Sequence, residues 1–249
     1  MALEQIIRGL ARRGLPTAAP DNTDVHARLG RYGEKYVLPL GGKAQHIADE
    51  GAYFVATNPT LSTGIVLTGA AQTAYVATTP AVLIRNTESP ANPIAKRIIM
   101  DFLRLLMTAA GTAGAALHGA VLLDDVNRYT SGGSELTPQN VNMDSGSKSI
   151  AKVYFGAITA PAAGPNQRLI ARFLLRGAIP VVNDQYTLNF GGVDMPAHGS
   201  ALGGTAIISQ SAPLPPVVIG PGQSLLINFW LPSQTAAPSA ETDMGWSER

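Results

Sequence analysis

The sequence predicts a mainly β protein: an antiparallel β-sandwich, jelly-roll-like, with a short N-terminal amphipathic helix and extended terminal arms. Three observations lead there. Short apolar runs recur along the chain, separated by turn signals at roughly ten- to fifteen-residue intervals, the rhythm of a sandwich or barrel. The 249 residues include 26 glycines and 18 prolines, which favours turns and short strands over helices. No alternation of strand and helix accompanies the strand signals, so two layers of antiparallel strands with long crossing loops are expected.

Leu3, Ile6, Ile7 and Leu10 fall at i, i+3, i+4 and i+7 and form one apolar helix face. Arg8, Arg12 and Arg13 lie off that face, and Gly14-Leu15-Pro16 stops the helix. A helix this short is marginal alone in water, so its apolar face must dock on its own domain or on a neighbouring subunit. Four apolar residues bury too little area for stable anchoring at a membrane surface. Residues 15–35 read as an extended linker punctuated by Pro16, Pro20, Asp21-Asn22, Gly30 and Gly33.

Strand-like pieces begin with Tyr36-Val37-Leu38 and continue at residues 52–57, 64–68 and 81–86. Ile94 to Met107 is ambiguous. Ile98, Ile99, Phe102, Leu105 and Leu106 fit a helix face, whereas Ile98, Met100 and Phe102 alternate as on a strand. The strand-rich surroundings favour a strand. Residues 116–124 form the next strand, and polar residues 127–149 read as a long loop. In a compact domain such a loop is usually functional or an interaction element. Strands resume at 151–156, 168–176, 185–190, 205–209, 217–219 and 224–231.

Residues 232–249 read as a Ser/Thr/Ala/Pro-rich tail with Met244 and Trp246 as apolar anchors, Trp246 either clipping onto a neighbour or packing on its own domain, while Trp230, inside an apolar run, reads as core. The organisation is then a helix and arm over 1–35, a sandwich over 36–231 and a tail over 232–249. Leu3, Ile6, Ile7, Leu10, Met244 and Trp246 are the expected interaction residues, placed on arms that reach neighbouring subunits.

Composition points to assembly. Only 14% of the chain is charged, against about 25% in an ordinary soluble domain. Residues 51–84 and 195–240 hold no Asp, Glu, Lys or Arg, yet polar residues interrupt both too often for a membrane span. A subunit surrounded by other protein is expected. A net charge of +1 offers no clustered basic face for nucleic acid. Zero cysteines exclude a disulfide framework and a thiolate metal site. Glu4 and Gln5 interrupt the apolar run that a secretory leader needs, so synthesis in a cytoplasm is expected.

Candidate chemistry is thin. Of His26, His46, His118 and His198, no two share a metal-ligand spacing. His198 follows Asp194 by four residues, but Pro196 forbids the helix that would align them. His118 lies in an apolar stretch and reads as a core or edge histidine. Asp124-Asp125 with Asn127 lacks calcium-loop spacing and reads as strand-end turn chemistry. Gly146-Ser147-Lys148-Ser149 lacks the full phosphate-loop pattern, and Ser200 lacks a nucleophile elbow. No carboxylate pair stands out. No catalytic, metal or cofactor residue is therefore assigned, and neither an enzyme nor a small-molecule substrate is expected.

The string from Gly30-Arg31-Tyr32-Gly33 through Leu40, then Ala48-Asp49-Glu50-Gly51-Ala52-Tyr53-Phe54 through Thr60, resembles virion structural proteins of tailed bacteriophages, short-tailed ones especially. Arg128-Tyr129-Thr130-Ser131-Gly132-Gly133 and Trp246-Ser247-Glu248-Arg249 are similar to segments of the same group. The resemblance implies a non-enzymatic capsid, head-decoration or tail-associated subunit, carried in many copies. Its partners would be copies of itself and other virion proteins, and its place the virion, after synthesis in a host bacterial cytoplasm. It carries over no functional residues. The alternatives are a receptor- or carbohydrate-binding module of a tail appendage and, third, a β-sandwich hydrolase.

Overall fold

The computed structural model describes residues 43–68, 72–112, 116–177, 179–192, 198–199 and 208–249. The expected helix with Leu3, Ile6, Ile7 and Leu10, the linker and the strand at Tyr36 lie outside the described residues. The chain divides into residues 1–46 and residues 47–249. Of the first unit only the start of helix α1 (Lys43–Asp49) is described; every described strand belongs to the second. Helix α1 stops where Gly51 takes a φ of 68° and its amide donates to the Ala48 carbonyl, the left-handed glycine ending common to helices.

The strands run in this order. β1 (Tyr53–Thr57), β2 (Ile65–Val66) and β3 (Val82–Asn86) come first. The long β4 (Ile98–Ala109) and β5 (Leu117–Asp124) come next, then β6 (Ser131–Leu136), β7 (Gln139–Asn140) and β8 (Ala151–Thr159). β9 (Arg168–Arg176), β10 (Gln185–Phe190), β11 (His198–Gly199) and β12 (Ile208–Leu214) lead to β13 (Val218–Ile219), β14 (Ser224–Trp230) and β15 (Ser239–Glu248). They form two sheets. The larger has the order β11-β12-β10-β4-β15-β1-β7, with β13 on β4 and β2 on β15. The smaller has the order β6-β8-β3-β14-β5-β9. Among the described residues every strand pairing is antiparallel except β10 with β12.

Period-two alternation turns one face of each sheet inward. Phe54, Leu103, Tyr186 and Trp246 of the larger sheet join Ile84, Val121, Phe155 and Phe229 of the smaller in one buried cluster. The protein is thus mainly β, with two sheets sandwiching a single core.

The ambiguous segment is strand β4, and its register explains the ambiguity. Gly245 pairs with Phe102 while Trp246 pairs with Met100, so Asp101 is an extra residue in a β-bulge. The inward positions are Ile98 and Met100 before the bulge and Leu103, Leu105 and Met107 after it. A phase slip of one residue within an alternating pattern mimics a helical period.

Three expectations are corrected. Residues 232–249 are not a tail: β15 runs between β4 and β1 at the centre of the larger sheet. Met244 and Trp246 are fully buried core residues, because even-numbered residues of β15 face inward while Glu241, Asp243, Gly245 and Ser247 face out. Residues 127–149 are not one loop but contain β6 and β7. β6 escapes sequence patterning because Gly132 and Gly133, both at positive φ, bulge against β8. Finally, Trp230 is not core. Phe229 takes the inward position, and alternation turns Trp230 to the outer face, half-buried.

Candidate functional site

The outer face of the smaller sheet carries a second apolar cluster. Leu83 of β3, Leu226 of β14, Ala120 and Leu122 of β5, and Tyr154 of β8 face outward yet are buried. Sheets with both faces buried read as continuous apolar runs, and Leu225-Leu226-Ile227 is one. Loops supply the cover. The Tyr129 ring stacks on Tyr154 with centroids 3.7 Å apart, and the Arg85 guanidinium lies 5.8 Å from the Tyr129 ring centre. Asn228 Nδ2 donates to the Val76 carbonyl at 2.7 Å, holding residues 72–80 against the sheet.

A buried ion pair fixes these loops to one another. Arg128 Nη1 donates to Asp124 Oδ2 at 2.6 Å, with both side chains fully buried. Arg128 also donates to the carbonyls of Pro161 and Ala77. Asp124 accepts from the Gly164 and Val126 amides and from Gln167 Nε2. Burial pushes the Asp124 carboxyl upward, but the Arg128 guanidinium and the two amides outweigh it and hold the group below the ordinary carboxylate range. The turn chemistry expected at Asp124-Asp125 is therefore a clamp on three loops.

Between these loops and β9 lies a groove of about 360 Å³ lined by Tyr75, Ala120, Leu122, Leu169, Arg172 and Trp230. Trp230 stacks on His118 with centroids 5.5 Å apart and planes 10° apart, and meets Tyr75 edge-on at 6.0 Å. His118, foreseen as a core or edge histidine, is thus one half of an aromatic pair. Apolar walls, two amphipathic aromatics and one exposed guanidinium can seat an apolar side chain or the face of a sugar ring. They hold no nucleophile with a base beside it.

The outer face of the larger sheet is polar. Tyr53 OH donates to Asp101 Oδ2 at 2.6 Å, and burial first, then this bond, raise the Tyr53 hydroxyl well above its ordinary value. Arg104 donates to Asp243 Oδ2 through Nε at 3.0 Å and Nη2 at 2.5 Å. Beside that pair a pocket of about 260 Å³ is lined in part by Asn58, Leu61, Leu106 and Glu241. Gly245 makes the surface possible: a Cβ there would lie 2.5 Å from Phe102 Cε1 and 2.7 Å from Tyr53 OH.

Two further buried carboxylates brace the ends of the sandwich. Glu248 accepts from Trp246 Nε1 at 2.9 Å, Ser149 Oγ at 2.5 Å and the Ile150 amide. Asp184 accepts from Arg176, the Val181 amide and Tyr186 OH. Among the described residues no three His, Asp or Glu gather as a metal site, and no helix is long and apolar enough to cross a membrane.

Met244 and Trp246 come together in the core, whereas Leu3, Ile6, Ile7 and Leu10 fall outside the described residues. The roles of Tyr75, Arg128 and Arg172 were not foreseen from the sequence, because they depend on which strand ends lie side by side. No family model matches this chain, and neither a curated protein nor a solved structure is similar to it.

Proposed function

We propose that this chain is a non-enzymatic structural subunit of a bacteriophage virion, a jelly roll that works by packing against copies of itself and other virion proteins. The observation that carries the jelly-roll part of the reading is strand order. Taking β1, β3, β4, β5, β9, β10, β14 and β15 as strands one to eight, the larger sheet contains one-eight-three-six and the smaller two-seven-four-five. Those orders are what two wrapped Greek keys produce, an architecture common to viral capsid proteins, lectins and cupins. The fold alone does not choose among these functions.

Surface chemistry supports the assembly reading over the others. Leu61, Val66, Tyr75 and Val76, all within uncharged residues 51–84, are exposed large hydrophobics. Low-charge apolar surface is the composition of interface cores. The outermost strands resist edge-to-edge addition: β7 and β11 have two residues each, β6 carries a glycine bulge, and β9 has register shifts and exposed Arg168 and Arg172. Association therefore runs through faces and loops. The deciding experiment is sedimentation of the purified chain together with protein identification in intact phage particles. Multimers and high copy number are expected; a monodisperse monomer at high concentration, absent from particles, overturns the reading.

The groove lined by Trp230, Tyr75 and Arg172 favours a second reading, a receptor- or carbohydrate-binding module of a tail appendage. Glycan-array binding that disappears in Trp230→Ala and Arg172→Ala would establish it, and a blank array would end it.

A further inference from the structure

The groove on the smaller sheet has a definite polarity. Its floor is Ala120 and Leu122 of β5. On β9, Arg172 lies directly opposite Ala120 and Leu169 opposite Leu122. Trp230 rises from β14, where it pairs with His118. Because β14 and β9 flank β5, Trp230 and Arg172 stand on backbones about 10 Å apart, two strand spacings. Between them lies Ala120, the smallest outward residue of β5, and the gap has room for a single ring. The loop that brings Tyr75 to the groove is held in place. Asn228 Nδ2 donates to the Val76 carbonyl at 2.7 Å and Arg128 Nη2 to the Ala77 carbonyl at 3.2 Å. The groove is therefore formed before a ligand arrives, as small-molecule sites usually are, and its volume of about 360 Å³ lies within their range.

The polar atoms of the groove are donors. Trp246 Nε1 donates to Glu248, but among the described residues Trp230 Nε1 has no acceptor. It is not one of the buried unpaired atoms either, so it reaches solvent. Arg172 is exposed and belongs to none of the four ion pairs among the described residues. It is the only charged residue in the lining. The adjoining stretches of β5 and β14, residues 117–123 and 224–230, hold no carboxylate, and Asp124 just beyond is neutralised by Arg128. A matching ligand brings acceptors, one negative charge and a face apolar enough for Trp230, Tyr75 and Leu169. A single guanidinium fork fits a planar carboxylate through two parallel bonds, whereas phosphate recognition gathers clusters of arginines. An aspartate or glutamate side chain offers the carboxylate but only one or two methylenes for these walls. A pyranose offers C–H groups on its faces and hydroxyl oxygens for the indole N–H. We propose that the groove binds a sugar ring bearing a carboxylate, a uronic or sialic acid residue of a glycan, with Arg172 on the carboxylate and Trp230 Nε1 on a hydroxyl oxygen. The assignment rests on the carbohydrate reading of the groove and narrows it to acidic glycans.

The test titrates the full chain with trisaccharides of glucuronic, galacturonic and mannuronic acid and with sialyllactose. Each is compared with its methyl ester, which keeps the shape and removes the charge, and with lactose as a neutral sugar. Calorimetry and tryptophan fluorescence read the binding. At least one acid should bind, and its ester should bind roughly tenfold or more weakly, the loss expected with a charge-assisted hydrogen bond. Arg172→Gln should abolish that preference without moving the melting temperature, because exposed Arg172 forms no ion pair within the described chain. Arg172→Lys keeps the charge but not the fork and should restore the preference only in part. Salt should weaken the acid and leave the ester unchanged. Trp230→Phe should weaken both, since it removes a donor they share. An acid that binds no tighter than its ester, or a preference that survives Arg172→Gln, overturns the acidic-sugar assignment while a neutral-sugar site still stands. A triglutamate peptide that binds in the groove as tightly as the best acid overturns the sugar. Binding by none of the acids, esters or lactose ends the carbohydrate reading along with it.

Discussion

The two outer faces of this sandwich obey the same alternation and end up chemically opposite. On the smaller sheet the outward positions at the centre, Leu83, Leu122 and Leu226, are apolar, and loops must cover them. On the larger sheet the outward positions Tyr53, Asp101, Arg104 and Asp243 are exposed or half-buried and pair off, Tyr53 with Asp101 and Arg104 with Asp243. Each face carries an Arg–Asp pair, and the pairs differ in one variable. Arg128–Asp124 is fully buried, whereas the Arg104 and Asp243 side chains are 47% and 35% exposed. Burial turns the same chemistry from a minor surface contact into a clamp, because breaking a buried pair strands a charge that water cannot reach.

The largest expected effect comes from that difference. Arg128→Met should cost about 3–5 kcal/mol in denaturant unfolding, since it leaves the Asp124 carboxylate buried without its partner. It should also free residues 72–80 and 160–167, visible as new proteolytic cleavage there. A loss below about 1 kcal/mol, the ceiling for exposed pairs, would erase the distinction between the faces. The pH dependence should track the same pair. The Asp124 carboxyl is held below its ordinary value of 3.8, so its contribution is fully present above that value and is lost as pH falls through the lower, folded-state value. Acid unfolding of Arg128→Met should accordingly be less steep over that range than that of the parent.

Next in size is a contrast between the two tryptophans. Trp246→Ala opens the core and removes the indole donor from Glu248, so about 3–5 kcal/mol should be lost. Trp230→Ala removes a stacking partner on a solvated groove and should cost roughly 0.5–1.5 kcal/mol. Thermal melts of both variants would test this, and equal losses would mean the groove is as much a core as the interior.

These tryptophans also show what was legible in the chain. The strands at residues 53–57, 82–86, 117–124, 168–176, 185–190 and 224–230 were readable because each carries β-rich residues between turn signals. The strand at 239–248 was not, because its inward set, Ala240, Thr242, Met244, Trp246 and Glu248, mixes small, polar and charged residues that only a buried hydrogen-bond network reconciles with burial. Trp230 was misread for the converse reason: it sits in an unbroken apolar run, and period two is invisible when both faces are apolar. The candidate surfaces were less legible still. The groove joins β5, β9, β14 and the loop at Tyr75, and no local pattern announces that residues 75, 122, 172 and 230 will meet.

A smaller effect belongs at alkaline pH. Burial, then donation to Asp101 and Asp184 respectively, raise the Tyr53 and Tyr186 hydroxyls above their ordinary value of 10.0. A raised folded-state value means the contribution is fully present below pH 10 and is lost as pH climbs beyond it. Ultraviolet titration should show Tyr53 and Tyr186 ionising last, together with unfolding. Tyr53→Phe should remove one of them and leave the onset of unfolding to Tyr186, the residue in the core.

The smallest expected effect is the most discriminating for the polar face. Arg104→Ala removes an exposed pair whose two hydrogen bonds to Asp243 Oδ2 are short, and short geometry alone would suggest a strong contact. Exposure decides otherwise: solvent screens the pair, and ordering two long side chains offsets the attraction, so the loss should be only about 0.2–1 kcal/mol. It should shrink further in high salt, because the screening length falls from about 10 Å at 0.1 M to about 3 Å at 1 M ionic strength, comparable to the separation of the pair itself. Denaturant unfolding at low and high salt measures both parts. A loss approaching that of Arg128→Met, or one that salt leaves untouched, would mean that this face is covered in solution. If the cover is another copy of the chain, the partner proposed above, the same experiment repeated across protein concentration would reveal it, because stability gained through association rises with concentration and stability intrinsic to the subunit does not.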